Sequence, residues 1–277
     1  IEVNSSDIKK SSFTHQSNGL SSTEISFELS GYFLETSKNG VMITAPGGVS
    51  MVKEGAPDLP VFTTSIQIPD LAKMQLEVIS SEYIDVRVES VIPSRGNITR
   101  DININLVPFK KGLTYDKNSF YPDNIAFLRS PYIIRTKRGQ TIVFQPFQYN
   151  PIDGILRVHT NINILVKADG ISTDNPLVRL PSKNRGMREM EEIYSRHFLN
   201  NVPTNDRYTP LDENGAMLII CYGPFIDAMQ PFIDWKIKKG MHVELYNVDD
   251  IGDAADIKTF VEDYYYANGI NFLLLVG

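Results

Sequence analysis

Cysteine is almost absent from this sequence of 277 residues, which contains Cys221 and no other thiol. A single thiol excludes a scaffold stabilised by internal disulfides and any zinc site built from several cysteines. Positive charge is also in deficit, because 27 Lys and Arg residues face 33 Asp and Glu residues. A nucleic-acid partner is therefore not expected, since contact with phosphates requires a basic surface. No apolar run approaches the roughly 20 residues that a membrane-spanning helix needs, so no transmembrane segment is predicted.

Catalytic and metal-binding motifs are lacking as well. No histidine is placed beside Cys221, which ends a buried apolar run and is best interpreted as a small core residue. The aspartates Asp249, Asp250, Asp253 and Asp256 precede a predicted helix, and the simplest interpretation is that they cap its amino terminus. A structural calcium ion at this cluster is the alternative, and no other cofactor is predicted.

Alternating apolar and polar residues dominate the chain from about Ser26 to Lys167. Period-two runs bounded by Pro, Gly and Asn are typical of half-buried antiparallel strands. Many such strands without helices between them indicate a β-sandwich-like domain, which is predicted for residues 1–168. The runs are Ile25 to Leu29, Leu76 to Val78, Ile84 to Val88, Ile102 to Leu106, Ile142 to Phe144, Leu156 to Val158 and Ile162 to Val166.

The remaining sequence predicts a connector followed by alternating strands and helices. Residues 169–207 form a Pro-containing connector, in which helical spacing predicts one short amphipathic helix from Arg188 to Leu199. Residues 208–277 then contain apolar strands at 216–222, 241–246 and 272–276, with a helix in each interval. This β-α-β-α-β order predicts a parallel sheet with right-handed crossovers.

The two ends of the sequence lead to further expectations. Numbering begins at Ile1 rather than at Met, so we expect that a leader has been removed. The third apolar strand ends at Gly277 and would leave a bare sheet edge. Since sites in open parallel sheets lie beyond the carboxyl ends of the strands, we expect residues 208–277 to be the first part of a larger α/β domain.

Three segments together resemble the gingipain family of bacterial cysteine peptidases. Lys53-Glu-Gly-Ala-Pro-Asp-Leu-Pro-Val-Phe62 is similar to an early prosegment signature, and Gln145-Pro-Phe-Gln-Tyr-Asn-Pro151 to a late one. Arg207-Tyr-Thr-Pro210, followed by Glu213-Asn-Gly215, is similar to the mature amino terminus of Arg-specific members. The resemblance covers residues 47–277.

The resemblance implies a secreted zymogen of a Cys/His endopeptidase, with a β-rich inhibitory prodomain and the βαβαβ start of a caspase-like domain. The implied location is outside the cell or on the outer surface of a bacterium, with the periplasm as a stage in transit. The implied partners are its own catalytic domain and protein or peptide substrates. The nucleophile and base of the family would lie beyond Gly277, so no catalytic residue is assigned within this chain.

A basic prosegment residue can hold such a peptidase latent by filling the pocket that takes the substrate Arg or Lys, and an Arg fork suits a buried carboxylate. This role requires an exposed, rigid loop. Arg138-Gly139 has the composition of a turn between two strands, so Arg138 is the favoured residue, with Arg135, Lys137 and Arg129 as alternatives. A solvated basic hairpin tip without an inhibitory role is an equal alternative.

Removal of the prosegment is predicted at Arg207–Tyr208, in a polar connector just before the first apolar strand. Arg185 and Arg196 are possible earlier cleavage sites. Two other functions stay open at this point. One is the related sortase of a secretion system, and the other is an adhesive surface protein that is not an enzyme.

Overall fold

The computed structural model describes residues 10–178, 188–201 and 215–277. The described residues form two compact units. The first unit comprises the residues up to 177 together with 197–201, and the second comprises the others.

The first unit is built from antiparallel strands. One sheet has the order β1-β2-β12-β11, with β7 paired to β12, and the other has the order β5-β6-β10-β8, with β9 paired to β10. A separate hairpin joins β3 to β4. The strands are β1 (Ser12–Asn18), β2 (Ser22–Glu28), β3 (Phe33–Ser37), β4 (Gly40–Thr44), β5 (Val49–Ser50), β6 (Pro60–Ile68), β7 (Ala72–Arg87), β8 (Ala126–Leu128), β9 (Tyr132–Ile134), β10 (Lys137–Phe144), β11 (Phe147–Asn150) and β12 (Ile155–Ile171).

One apolar core lies between these two sheets. Phe27 of the first sheet contacts Phe62 and Phe144 of the second, with ring centroids 5.0 Å and 5.3 Å apart. Ile25 and Ile142 are also buried in this core. Alternate residues of β2 point inwards, and the predicted antiparallel, two-sheet architecture is confirmed.

The strands differ from the prediction in length and number. The two runs predicted between Leu76 and Val88 belong to the 16-residue strand β7, and the last two predicted runs belong to the 17-residue strand β12. Strand β12 continues to Ile171, past the predicted domain end at residue 168. The predicted strand from Ile102 to Leu106 is wrong, because Ile104–Leu106 is a short 3-10 helix. Its Leu106 is 79% exposed, so the alternation there buries no face.

The segment 197–201 packs onto the edge of β6. Asn200 donates from Nδ2 to the Gln67 carbonyl oxygen at 3.0 Å, and its Oδ1 accepts from the Gln67 backbone N–H at 2.7 Å. The Leu199 N–H donates to the carbonyl oxygen of Ser65 at 2.8 Å. Asn200 thus satisfies both backbone groups of Gln67, as a neighbouring strand would do.

The second unit contains a three-stranded parallel sheet. Its strand order is β14-β13-β15, with both outer strands parallel to β13, so the predicted βαβαβ arrangement is confirmed. The elements are α1 (Arg188–His197), whose last residue belongs to the first unit, then β13 (Ala216–Cys221), α2 (Ile226–Lys238), β14 (His242–Asn247), α3 (Ala254–Asn268) and β15 (Phe272–Val276).

Helices cover both faces of the central strand β13. Ile219 and Cys221 belong to the apolar cluster that includes Ile233 of α2, whereas Leu218 belongs to the cluster that includes Tyr264 of α3. A strand buried on both faces needs apolar residues at successive positions, which explains its continuous apolar run. Cys221 is fully buried, so the interpretation as a core residue is confirmed.

Acidic residues cap α3 as predicted. Asp253 accepts hydrogen bonds from the backbone N–H groups of Ala255 and Asp256, and the Asp256 carboxylate accepts from the Asp253 N–H. This reciprocal capping box satisfies donors that the first helical turn leaves free. In the part of the chain that the structure describes, no three His, Cys, Asp or Glu side chains are grouped to hold a metal ion. None of the helices described is long and apolar enough to cross a membrane.

Candidate functional site

The four basic residues predicted as inhibitory candidates lie between the end of β8 and the start of β10. The β9–β10 turn consists of Arg135 and Thr136, because Ile134 pairs directly with Lys137. Arg135 adopts the left-handed backbone conformation with φ of 51°. The predicted turn at Arg138-Gly139 is therefore wrong, since both residues lie inside β10 and pair with β6 and β9.

Gly139 is needed for close packing rather than for a turn. A Cβ atom at this position would lie 2.4 Å from the Phe198 ring and 2.9 Å from the Tyr132 ring. Those two rings are stacked at an interplanar angle of 11°. The glycine thus lets two aromatic side chains lie against the strand.

Arg138 is fully buried, and its guanidinium donates to backbone carbonyl groups of four described residues. Its Nε donates to Asn175 at 2.7 Å and Nη2 to Asp174 at 2.8 Å. Its Nη1 donates to Pro69 at 3.1 Å and to Ala72 at 2.6 Å. Burial lowers the pKa of the guanidinium, while the charges of Asp174 and Asp70 oppose that shift.

This environment contradicts the exposed position expected for Arg138. Four carbonyl oxygens from the β6–β7 connection and from the chain after β12 already occupy its guanidinium group. Period two along β10 places Arg138 on the same face as the core residues Ile142 and Phe144. The same period-two pattern is visible in the sequence, where it indicates that the Arg138 side chain points into the core.

The other two residues near the turn differ from each other. Lys137 is buried, and its Nζ donates to the Asn201 Oδ1 at 2.7 Å. Arg135 is half-buried at the turn itself. Neither has the free, projecting side chain that the predicted role requires.

Arg129 meets the requirement for an exposed side chain on a fixed backbone. It follows β8 directly and is exposed. Its N–H donates to the Thr141 carbonyl oxygen at 2.9 Å, and its own carbonyl oxygen accepts from Gln140 Nε2 at 2.8 Å. Two residues later, the Pro131 carbonyl oxygen accepts from Asn175 Nδ2 at 2.8 Å. We call residues 129–131 the Arg129 loop.

A cleft of about 490 Å³ opens beside the Arg129 loop, at one end of the two sheets. Its lining includes Ala72–Met74 of β7, and Ile171–Asp174 at and after the end of β12. It also includes Leu128–Pro131, Arg138 and Gln140. Buried Arg138 thus forms part of the floor, while exposed Arg129 stands at the rim.

None of the four histidines forms a catalytic pair with Cys221, which is buried with its Sγ 3.4 Å from the Tyr222 carbonyl oxygen. His159 is buried in the first unit between Gln148 Oε1, at 2.8 Å, and Ser81 Oγ, at 2.5 Å. His197 contacts the Tyr132 hydroxyl, and His242 contacts Glu244. His15 is exposed on β1.

The predicted processing residues Arg207 and Tyr208 lie outside the described residues, as does Arg185. Arg196 is described and is exposed near the end of α1.

An antiparallel unit with a fixed basic loop is followed along the chain by a parallel α/β unit. Comparison with protein families assigns these two regions to two different models. Propeptide_C25 matches residues 13–198, and Peptidase family C25 matches residues 210–277. The chain belongs to this family of gingipain-type cysteine peptidase zymogens, with a region that matches the propeptide followed by a region that matches the peptidase.

Curated relatives come from Porphyromonas gingivalis. Gingipain R2 is 33% identical over 88% of this chain, and gingipain R1 is 34% identical over 83%. Lys-gingipain is 24% identical over 80%. The chain spans 34% of the length of gingipain R2 and 23% of gingipain R1.

Solved structures give the same assignment of fold. A chain from the complex of the Porphyromonas gingivalis RgpB pro- and mature domains is 29% identical, with a TM-score of 0.60, and the match covers 68% of this chain and 96% of that one. A chain from a structure concerning the zymogenic latency of gingipain K has a TM-score of 0.50 at 20% identity, over 59% and 96% of the two chains.

Replacing Arg138 should damage the fold rather than a docking surface. We expect Arg138→Ala to lower the free energy of unfolding of the first unit by about 3 kcal/mol, because four carbonyl groups lose a charged donor. Arg129→Ala is the control and should change it by less than about 0.5 kcal/mol. Since Trp235 lies in the second unit, urea unfolding of the first should be followed by far-UV circular dichroism. Equal stability of both variants would contradict this assignment.

His159 should make the first unit less stable in acid. Burial, assisted by the charge of Arg157, lowers the pKa of His159 to about 4, whereas an unfolded chain has a value of about 6.5. Between these values the unfolded state binds the additional proton. Stability is therefore complete above the unfolded pKa and is lost as the pH falls towards the folded one, by up to about 3 kcal/mol. Urea midpoints measured at about pH 7.5 and pH 5 should differ less for His159→Gln than for the natural chain, and an equal difference would exclude this residue as the cause.

Proposed function

We propose that this chain is part of the zymogen of a secreted gingipain-like cysteine endopeptidase that cleaves after Arg. The first unit confers latency by occupying the cleft of the catalytic domain. The second unit is the beginning of that domain, with a caspase-like fold. Membership of the family supports the peptidase class, and the greater identity to gingipains R, 33–34% against 24% for Lys-gingipain, supports the preference for Arg.

The observation that carries the latency proposal is the exposed Arg129 on a loop fixed through its backbone. An inhibitory side chain must project far enough to enter a pocket, and it must resist rearrangement into a cleavable position. The hydrogen bonds from Arg129 to Thr141 and from Gln140 to Arg129 restrain its backbone on both sides. Of the four basic candidates, Arg129 alone is exposed.

The chemistry of the guanidinium fits this role. A pocket that selects Arg needs an acidic partner, and a guanidinium fork can bind a carboxylate through two parallel hydrogen bonds. A prosegment arginine would therefore compete directly with the substrate arginine. Arg138 is not proposed for this role, because its donors are bound to carbonyl groups of its own unit.

Release of the prosegment would follow cleavage of the Arg207–Tyr208 bond. An enzyme that accepts Arg can process its own precursor at this bond. Activation and latency would then both depend on a pocket that binds an arginine side chain. The propeptide match ends at residue 198 and the peptidase match begins at residue 210, so a cut between residues 207 and 208 would separate the two matched regions, which supports the proposal.

Arg129→Ala should open the catalytic cleft of the precursor. The test uses the full-length precursor and an arginine-containing affinity label that alkylates the active-site thiol, with the unprocessed band resolved by electrophoresis. We expect this band to be labelled roughly tenfold faster or more, because a charge-assisted contact in the pocket is lost. Arg100→Ala, which removes an exposed arginine elsewhere in the unit, is the matched control. Unchanged labelling of the Arg129 variant would exclude this residue as the inhibitory group.

Incubation of the same precursor should produce a new amino terminus at Tyr208. Amino-terminal sequencing should find it in the untreated sample but not after the thiol is blocked, and Arg207→Ala should abolish it. If cleavage also occurs after the thiol is blocked, or does not occur at all, a sortase-like enzyme or an adhesive protein would be favoured over a self-processing peptidase.

A further inference from the structure

Gln140 is the side chain that connects the buried strand β10 to the Arg129 loop. Its side chain is 93% buried, with a relative exposure of 7%. Its Nε2 donates to the Arg129 carbonyl oxygen at 2.8 Å. The next residue, Thr141, accepts the Arg129 N–H through its carbonyl oxygen. Two consecutive residues of β10 therefore hold both backbone polar groups of Arg129.

The chemistry of the contact fixes the orientation of the Gln140 amide. The Arg129 carbonyl group accepts only, so the amide nitrogen must face it and Oε1 must point away. Oε1 has no hydrogen-bond partner among the residues that the structure describes. Gln140 lines the cleft beside the Arg129 loop. Among the described residues, its side chain makes one hydrogen bond, and that bond goes to the loop.

The position of Gln140 separates it from the apolar core of the unit. Ile142 and Phe144 occupy the same face of β10 and are fully buried in the core, whereas Gln140 lies where that face reaches the cleft. An apolar residue of similar size would fit such a position for packing alone. A buried amide costs free energy there unless it is hydrogen-bonded, and the bond of Gln140 goes to the Arg129 loop.

We propose that Gln140 is a positioning residue for latency, which holds the Arg129 loop so that the guanidinium projects in the orientation that the catalytic pocket accepts. This inference depends on the proposed role of Arg129. Gln140 touches neither the pocket nor the substrate in this proposal, and it acts only through the Arg129 carbonyl group. Loss of its donor would leave the arginine in place but allow its loop to move.

The first test measures labelling of the full-length precursor by the arginine-containing affinity label. Gln140→Met keeps the size and removes the donor, and we expect labelling to be roughly three- to tenfold faster. Gln145→Met is the matched control, because Gln145 is also buried but its Nε2 contacts Met51 rather than the Arg129 loop. Faster labelling of both variants alike would attribute the effect to general loosening of the unit and overturn the proposal.

A double-mutant cycle shows whether Gln140 acts through Arg129. In a precursor that carries Arg129→Ala, adding Gln140→Met should cause no further increase in labelling, because the group that it positions is gone. A purely structural role would give the same increase in both backgrounds and would overturn the proposal. If Arg129→Ala alone has no effect, the proposed inhibitory role of Arg129 fails, and the positioning role of Gln140 fails with it. If it acts but Gln140→Met does not, only the positioning role fails.

Gln140→Glu adds a readout that a packing role would not change. A protonated carboxyl group can donate to the Arg129 carbonyl oxygen, whereas the ionised form can only repel it. Latency of this variant should therefore approach that of the natural precursor at about pH 5 and be lost at about pH 8. The labelling rate of each precursor is divided by that of the mature enzyme at the same pH, which removes the pH dependence of the thiol itself. A ratio to the natural precursor that does not vary with pH would overturn the proposal.

Discussion

The buried guanidinium of Arg138 holds together the end of the first unit on which the candidate inhibitory loop is built. Its four hydrogen bonds reach the connection between β6 and β7 and the chain that follows β12. Ala72 begins β7 and residues 174–175 follow β12, and both strands belong to the sheet opposite β10, so a single side chain ties one sheet to the other. Because each bond joins a charged donor to a backbone carbonyl group, the contact is stronger than one between neutral groups.

The basic residues of this region serve different purposes according to their burial. Arg138 and Lys137 are buried, and they donate to carbonyl oxygens and to the Asn201 amide oxygen respectively. Arg129 is directed outwards, on a backbone that β10 restrains. Strand β10 thus supports the interior and the exposed loop at once. A rigid support is what an inhibitory side chain requires, because flexibility would permit its cleavage as a substrate.

Much of the fold follows from local patterns. The continuous apolar run Ala216–Cys221 predicts a strand covered on both faces, and the pattern of charges before α3 predicts its cap. The position of the β9–β10 turn could not be predicted from the sequence pattern, because Arg135 takes a left-handed conformation that is uncommon outside glycine. Gly139 resembled a turn residue, yet its role depends on the ring of Phe198, which is distant in sequence. Contacts of this kind arise from tertiary packing and leave no local signal.

The docking of residues 197–201 on β6 sets a limit on the geometry of activation. Asn201 is held by Lys137, and only residues 202–207 lie between it and the proposed scissile bond. An extended chain advances at most about 3.6 Å per residue, so this bond lies within roughly 22 Å of Asn201. If Arg129 occupies the catalytic centre as proposed, that centre could cut its own connector only after Arg129 has left it, and only if it lies within this distance of Asn201. Beyond that distance the first cut must come from a second molecule, and the onset of activity would then depend on precursor concentration.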